Sequence, residues 1–182
     1  MLIRTLDPAT DRAVVEAFFV ASADYVRLER GAEPTPDLAE DYFTDAPPGS
    51  DPAASHCVGL FGGDQDSAAS DSVAPDSATP DSATLIGLAE LSFGYPDATS
   101  AYIGLMMIVP RARGQGAGQT LLRHLEATAR SRGAATLYLA VLDANPRGAA
   151  FWQRQGFNLA LANRPVTIGT KTQLAHRLYK PL

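Results

Sequence analysis

The octapeptide Arg111-Ala112-Arg113-Gly114-Gln115-Gly116-Ala117-Gly118 lies between an apolar run, Tyr102–Val109, and a segment, Gln119–Arg132, whose leucines recur at helical spacing. The run suits a central strand covered on both faces, and Pro110 stops it. Leu121, Leu122, Leu125 and Ala129 fall on one helical face, and Gly133 closes the helix. The order is strand, glycine turn, helix. Glycines let the backbone come close to a ligand and take conformations barred to other residues. Free amides at a helix start, with the helix dipole behind them, make an anion site, most naturally for phosphate. Arg113 adds a full charge with forked donors.

Two familiar phosphate motifs do not fit. A P-loop needs a lysine and a hydroxyl residue after its last glycine, but Gly118 is followed by Gln119-Thr120. The dinucleotide pattern would use Gly114 and Gly116 and a third glycine where Gln119 stands. What remains is Arg-x-x-Gly-x-Gly, filled by Arg113, Gly116 and Gly118 after Val109-Pro110. A second stretch follows: Asn145-Pro146-Arg147-Gly148-Ala149-Ala150-Phe151-Trp152-Gln153-Arg154-Gln155-Gly156-Phe157. In this order the two resemble the signatures of the GNAT superfamily of N-acyltransferases, over residues 101–157, about a third of the chain.

The resemblance implies specific roles. Acetyl-CoA would be the co-substrate, with its pyrophosphate on the amides of Arg113, Gly114, Gln115, Gly116, Ala117 and Gly118. Its pantetheine arm would pair with the backbone of Met106, Met107 and Ile108, where two parallel strands splay apart. An amide there would polarise the thioester carbonyl. Asn145 would sit beside the pantetheine, although Asn145-Pro146 also reads as a helix cap. Trp152, counted with the cofactor residues, stands where many relatives carry a tyrosine acid, and an indole N–H does not titrate usefully. Tyr138, Tyr102 or a water would then supply the proton.

For the base, Glu90 is the first candidate: an acid within the apolar strand Leu88-Ala89-Glu90-Leu91, on one face with Leu88 and Ser92 by alternation. Partial desolvation would raise its proton affinity; facing solvent or an arginine is the plain alternative. Asp143 is second, with a loop cap as its other reading. His124 falls on the helix flank away from the leucine stripe and is expected to be exposed. His56, His176 and Cys57 show no partner in sequence and are read as structural.

Outward from the turn, Leu2–Leu6 reads as a strand, with Asp7-Pro8 opening a helix through Val14, Val15, Phe18 and Phe19. Thr35-Pro36 starts a second helix through Leu38, Tyr42 and Phe43. Strands follow at His56–Phe61, Leu85–Phe93, Thr136–Leu142, Phe157–Leu161 and Gln173–Tyr179, with a short helix at Pro146–Arg154. Residues 62–84 change character: Pro75-Asp76-Ser77-Ala78-Thr79 repeats letter for letter at 80–84. Such a tract cannot offset its ordering entropy by burial, so it reads as a flexible low-complexity loop between two strands. Residues 1–182 are expected to form one α/β domain. By resemblance its sheet is GNAT-like, mixed and mostly antiparallel, flanked by helices and splayed between two parallel central strands.

Composition bounds the function. The chain has 182 residues, enough for a core without disulfides or structural metal. One cysteine excludes a disulfide framework and a multi-thiolate zinc site, and no metal is expected. No apolar run reaches the ~20 residues of a membrane helix, and the start lacks the order of a signal peptide, so a cytoplasmic location is the expectation. The net charge of -5 is split: -7 over residues 1–61, -5 over 62–84 and +7 over 85–182. An anion suits the back and a cation the front; scattered bases argue against nucleic acid. Front acids (Asp24, Glu29, Glu33, Glu40, Asp41) would favour a cationic amine, with Tyr25 and Arg27 lining its cleft. With the resemblance, which implies an N-acyl acceptor bound by the first helices, the acceptor is expected to be a small-molecule amine or a peptide; a non-catalytic acyl-CoA binder is the alternative. A homodimer stays open.

Overall fold

The computed structural model describes residues 1–62 and 83–182. Seven strands form one sheet in the order β1-β2-β3-β4-β5-β7-β6. They are β1 (Leu2–Thr5), β2 (His56–Gly62), β3 (Thr84–Phe93), β4 (Ser100–Ile108), β5 (Thr136–Leu142), β6 (Asn158–Ile168) and β7 (Lys171–Pro181). All neighbours are antiparallel except β4 and β5. The mixed, mostly antiparallel sheet predicted from sequence is therefore present. The repeat tract falls almost wholly outside the described residues.

Helices cover both faces. α1 (Arg12–Ala21), α2 (Ala23–Arg30) and α3 (Asp37–Thr44) precede β2; α4 (Ala117–Ser131) and α5 (Pro146–Arg154) follow β4 and β5. Phe18, Phe19, Val26, Leu38 and Tyr42 pack with Leu88 and Met107 on one side of the sheet. Leu121, Leu122, Leu125 and Trp152 pack with Leu91, Ile103 and Leu139 on the other. Each fully buried leucine contributes roughly 1.5–3 kcal/mol. Tyr42, buried under α3, donates its hydroxyl to the Ala89 carbonyl at 2.9 Å and so ties α3 to the sheet.

Three local expectations change. The first helix begins at Arg12 rather than Pro8. Its would-be cap, Asp7, instead accepts from the Ala9 amide through its side chain, while its carbonyl takes the Thr10 and Asp11 amides in a separate turn. Asp11 is drawn outward to the Arg4 guanidinium in a two-pronged pair at 2.6 and 2.8 Å, which holds its carboxyl below the usual range. Second, α2 is not expected from sequence: it is a short, mostly polar helix in which Val26 is the single fully buried residue. Third, β6 runs to Ile168, well past the predicted Leu161. It is an almost wholly exposed edge strand, bulged near Asn163 (φ 55°) and containing Pro165, which an edge tolerates. Without a buried face there was no alternation to read.

Leu121 is completely buried where α4 meets the sheet. Leu121→Ala is expected to cost about 2–5 kcal/mol, measured by urea unfolding; a loss below about 1 kcal/mol would mean that α4 is not seated on this core.

Candidate active site

The β4–β5 ladder is short. It pairs Ser100 with Thr136 through Ile103 with Leu139 and then ends, while β4 continues to Ile108 against β3. The two parallel strands therefore part along Gly104–Ile108, as the resemblance implied. A cavity of about 820 Å³ opens along that parting, lined by Met106, Met107 and Ile108 on one side and Leu139, Ala140 and Val141 on the other. The Met107 side chain is buried in the core, so what this stretch offers the cavity is mainly its backbone.

The glycine turn closes one end. A 3-10 turn at Pro110–Ala112 leads into it, and Gly116 is the N-cap of α4. Gly114 and Gly116 have φ of 78° and 84°, the left-handed region that a side chain strains. A methyl group built on either would meet nothing within 4 Å; the space above the turn is open. Gly118 serves differently, since a side chain there would press on the Phe151 ring at 3.3 Å. The first intrahelical bond runs from Thr120 N–H to Gly116 carbonyl. The amides of Ala117, Gly118 and Gln119 precede it, at the positive end of a fifteen-residue helix. Gln115 braces the turn from its own side chain, donating to the Arg111 carbonyl at 2.8 Å. An anionic diphosphate fits this set of donors.

Asn145 lines the same cavity and caps α5, its Oδ1 accepting from Gly148 N–H at 2.9 Å. The cap reading of this residue is thus realised, and its side chain also faces the cavity. Trp152, edge-on to Phe151 and Phe157, also lines the cavity and holds α5 to the core. Arg147 and Arg154 join the lining from α5. Sequence reasoning had not placed them there, although the +7 balance of the back half was their signal.

A second cavity, about 750 Å³, adjoins the first, and Tyr25, Gly104, Leu105 and Ala140 line both. Glu90 lies in its wall, buried to 4% exposure. Its carboxylate accepts from the Ser92 hydroxyl at 2.5 Å and from the Gly104 backbone. Burial pushes its proton affinity above the ordinary carboxylate value, and these hydrogen bonds oppose the rise in part. Gly104 is the extra residue of a β-bulge: Glu90 faces Leu105 while the next residue, Leu91, faces Ile103. The bulge matters because a side chain at 104 would collide with Glu90 Oε2. Glu29, raised by burial beside Arg30 and Tyr25, shares this cavity with Asp41 and Asp45. The β6–β7 hairpin roofs it through Val166, Thr167 and Ile168. Its tip clasps α2: Lys171 Nζ donates to the Leu28 carbonyl at 2.8 Å and Gln173 to the Glu29 carbonyl at 2.7 Å.

Other expectations move. Asp24 lines the first cavity rather than the second, bound to Arg113. Arg27 turns instead to Glu33, at 2.6 Å. Tyr138 lines neither cavity; its ring packs on Tyr179 across the β5–β7 ladder, whereas Tyr102 lines the second cavity. His124, expected to be exposed, is half-buried against His56 with ring centroids 5.7 Å apart, and burial lowers the proton affinity of both. His176 does have a partner, Asp143, at 3.2 Å. Cys57 is buried, and that burial with Glu90 nearby pushes its thiol up to about 12, which leaves it unreactive. Among the described residues no group of three or more acids, histidines or cysteines gathers as a metal cage, and no helix is long and apolar enough to cross a membrane.

A parted parallel pair, a glycine turn at the head of a helix and a capped Asn-Pro helix beside them define an acyltransferase-type site. The sequence model of the acetyltransferase (GNAT) family matches residues 32–157, and the chain belongs to that family. GNAT acetyltransferases use acyl-CoA. A streptothricin acetyltransferase of Streptomyces lavendulae is 35% identical over 72 residues, a match that takes in 40% of this chain and 38% of that protein. An acetyltransferase from Thermus thermophilus superposes with a TM-score of 0.69 at 24% identity, over 100% of this chain and 98% of that one. A Bacillus subtilis acetyltransferase in complex with CoA gives 0.60 at 15% identity, over 99% and 97%. At these identities the solved structures speak for the fold.

Acetyl-CoA is expected to raise the melting temperature, and ATP and NAD to leave it unchanged. Gly116→Val, which forbids the left-handed turn, is expected to abolish the acetyl-CoA shift in the same thermal assay; a retained shift would place the cofactor elsewhere.

Proposed function

We propose that this protein is an N-acetyltransferase that moves an acetyl group from acetyl-CoA to the primary amine of a cationic small molecule by direct attack. The observation that carries the reading is the junction of the two cavities at Gly104, Leu105 and Ala140, with an anion-receiving turn on one side and Glu90 on the other. Arg113 and the amides of Gly114–Gly118 would hold the diphosphate, and the freed edge of β4 the pantetheine arm. Acetyl-CoA brings an activated acyl carbon and a leaving thiol. A backbone N–H on the freed edge would polarise the carbonyl.

Glu90 would take a proton from the acceptor ammonium, directly or through one water, so that a neutral amine attacks. Its raised proton affinity suits this work. The new C–N bond forms as the C–S bond breaks; the acylated nitrogen sheds its second proton to solvent, and the sulfur leaves as a thiolate that solvent protonates. A thiol titrates near ~8.5, so the departure needs no strong acid. That agrees with an indole at position 152 and with Tyr138 lying outside the cavities.

Four carboxylates (Glu29, Asp41, Asp45, Glu90) and one guanidinium, Arg30, line the acceptor side, which supports a cationic acceptor. The hairpin roof fastened to α2 supports a compact molecule over an extended peptide. The partial match to a protein named for streptothricin points the same way.

The test is thiol release from acetyl-CoA across small amines, with streptothricin included, at several pH values. Turnover should rise with pH, its midpoint displaced above the ordinary carboxylate value. Glu90→Gln should lower kcat by about 10²–10⁴-fold. The same substitution should leave stability at neutral pH unchanged or raise it. A carboxyl whose folded-state affinity is raised binds its proton more tightly folded than unfolded, so stability falls as pH climbs through the raised value. Glutamine removes that loss. Full activity in the variant, or no turnover with any amine despite cofactor binding, would overturn the reading.

A further inference from the structure

The turn that receives the diphosphate is already engaged by a carboxylate. Arg113 reaches across 89 residues of sequence to Asp24, Nη1 to Oδ2 at 2.5 Å and Nη2 to Oδ1 at 3.1 Å, in a two-pronged pair. Its Nε donates meanwhile to the Ile108 carbonyl at 2.8 Å. Every edge of the guanidinium fork facing the cleft is thus committed, to the end of β4 on one side and to α2 on the other. The Asp24 carboxyl is held below its usual range, first by this hydrogen bonding.

Asp24 sits in the first turn of α2, and Tyr25 and Leu28 of the same helix line the first cavity. Tyr25 also lines the second, and Glu29, one turn further on, lines it as well. The other end of α2 is fastened to the β6–β7 tip through Leu28 and Glu29 carbonyls. One short helix therefore spans the mouths of both cavities, pinned at its start by an ion pair and at its end by hydrogen bonds. The two ends are unequal. The outward side of the start, beyond the buried Ser22 and Val26, is held by exposed charges, about a third and a half exposed at Arg113 and Asp24, and water screens such a pair heavily.

Resting on the cofactor reading above, we propose that Asp24 is a positioning residue that competes with the cofactor diphosphate for Arg113, so that cofactor entry releases the start of α2 and moves Tyr25 between the two cavities. The chemistry is an exchange of anions on one guanidinium. A diphosphate offers more charge and more acceptor oxygens than one carboxylate. Left in place, the half-exposed Asp24 carboxylate would stand as a like charge beside it, its repulsion softened by water.

The experiment measures binding of CoA, and separately of pantetheine, which lacks the phosphates, to the wild type, Asp24→Asn and Asp24→Glu by isothermal titration. Amide hydrogen exchange over residues 23–30 is followed in parallel. Asp24→Asn should tighten CoA about two- to fivefold, the scale of one exposed charge pair, with pantetheine unchanged. Asp24→Glu, which keeps the charge, should stay near the wild type. CoA should quicken exchange in α2 of the wild type and have less effect in Asp24→Asn, where the helix start is already free. Weaker CoA binding by Asp24→Asn would overturn the proposal and make Asp24 the residue that presents Arg113 to the cofactor. Equal affinity, or equal tightening of pantetheine, overturns it too. Failure of CoA to bind any of the three proteins would instead bring down the cofactor reading, and this inference with it.

Discussion

The parting of β4 from β5 after Ile103 and Leu139 is the constraint on which the rest of the molecule depends. Two parallel strands in mid-sheet ordinarily satisfy each other's backbone groups, and buried backbone groups without partners are costly. Here β4 keeps its ladder to β3 on one edge and surrenders the other over Gly104–Ile108, with Arg113 covering the last carbonyl. Beyond that point each strand keeps only its outer partner, β5 pairing with β7 along its full length and β4 with β3 across a bulge at Gly104. The same bulge admits the Glu90 carboxylate to the floor of the neighbouring cavity. A single irregularity of the sheet thus opens one cavity and furnishes the other.

Charge follows that division. Arg113, Arg147 and Arg154 line the side built from the back half of the chain, and Glu29, Asp41, Asp45 and Glu90 the side roofed by α2 and α3. The opposite balances of residues 1–61 and 85–182 are thereby spatial as well as sequential. Asp24, Arg30 and Glu90 depart from it: Asp24 is an acid of the front half held in the basic cavity by Arg113, while the front-half base Arg30 and the back-half acid Glu90 line the acidic one.

Much of the site was legible before any coordinates. The left-handed glycines at 114 and 116, the Asn145-Pro146 helix start and the acid inside an apolar strand each leave a local mark, since each answers a constraint within a few residues. The strands buried on both faces were equally plain. What did not show were α2 and the far half of β6. The far half of β6 faces water, so no hydrophobic period marks it, and α2 is short, mostly polar and held in part by contacts made over a hundred positions away, as Lys171 holds Leu28. The partner of Asp24 was hidden for a related reason: the acidic balance of the front half suggests a cationic ligand, but its neighbour in space is the arginine of the turn.

By itself, the amino-acid order determined the strand, glycine turn and helix, the capped second helix, the apolar strands and the opposed charges of the two halves. These are matters of torsion, periodicity and counting, settled by residues near one another. Only the tertiary structure decided that β4 and β5 separate, that a bulge seats Glu90 beside the gap, and that α2 bridges both cavities with Asp24 on Arg113. Those depend on register and on side chains meeting across the sheet, and no short stretch of chain carries that information.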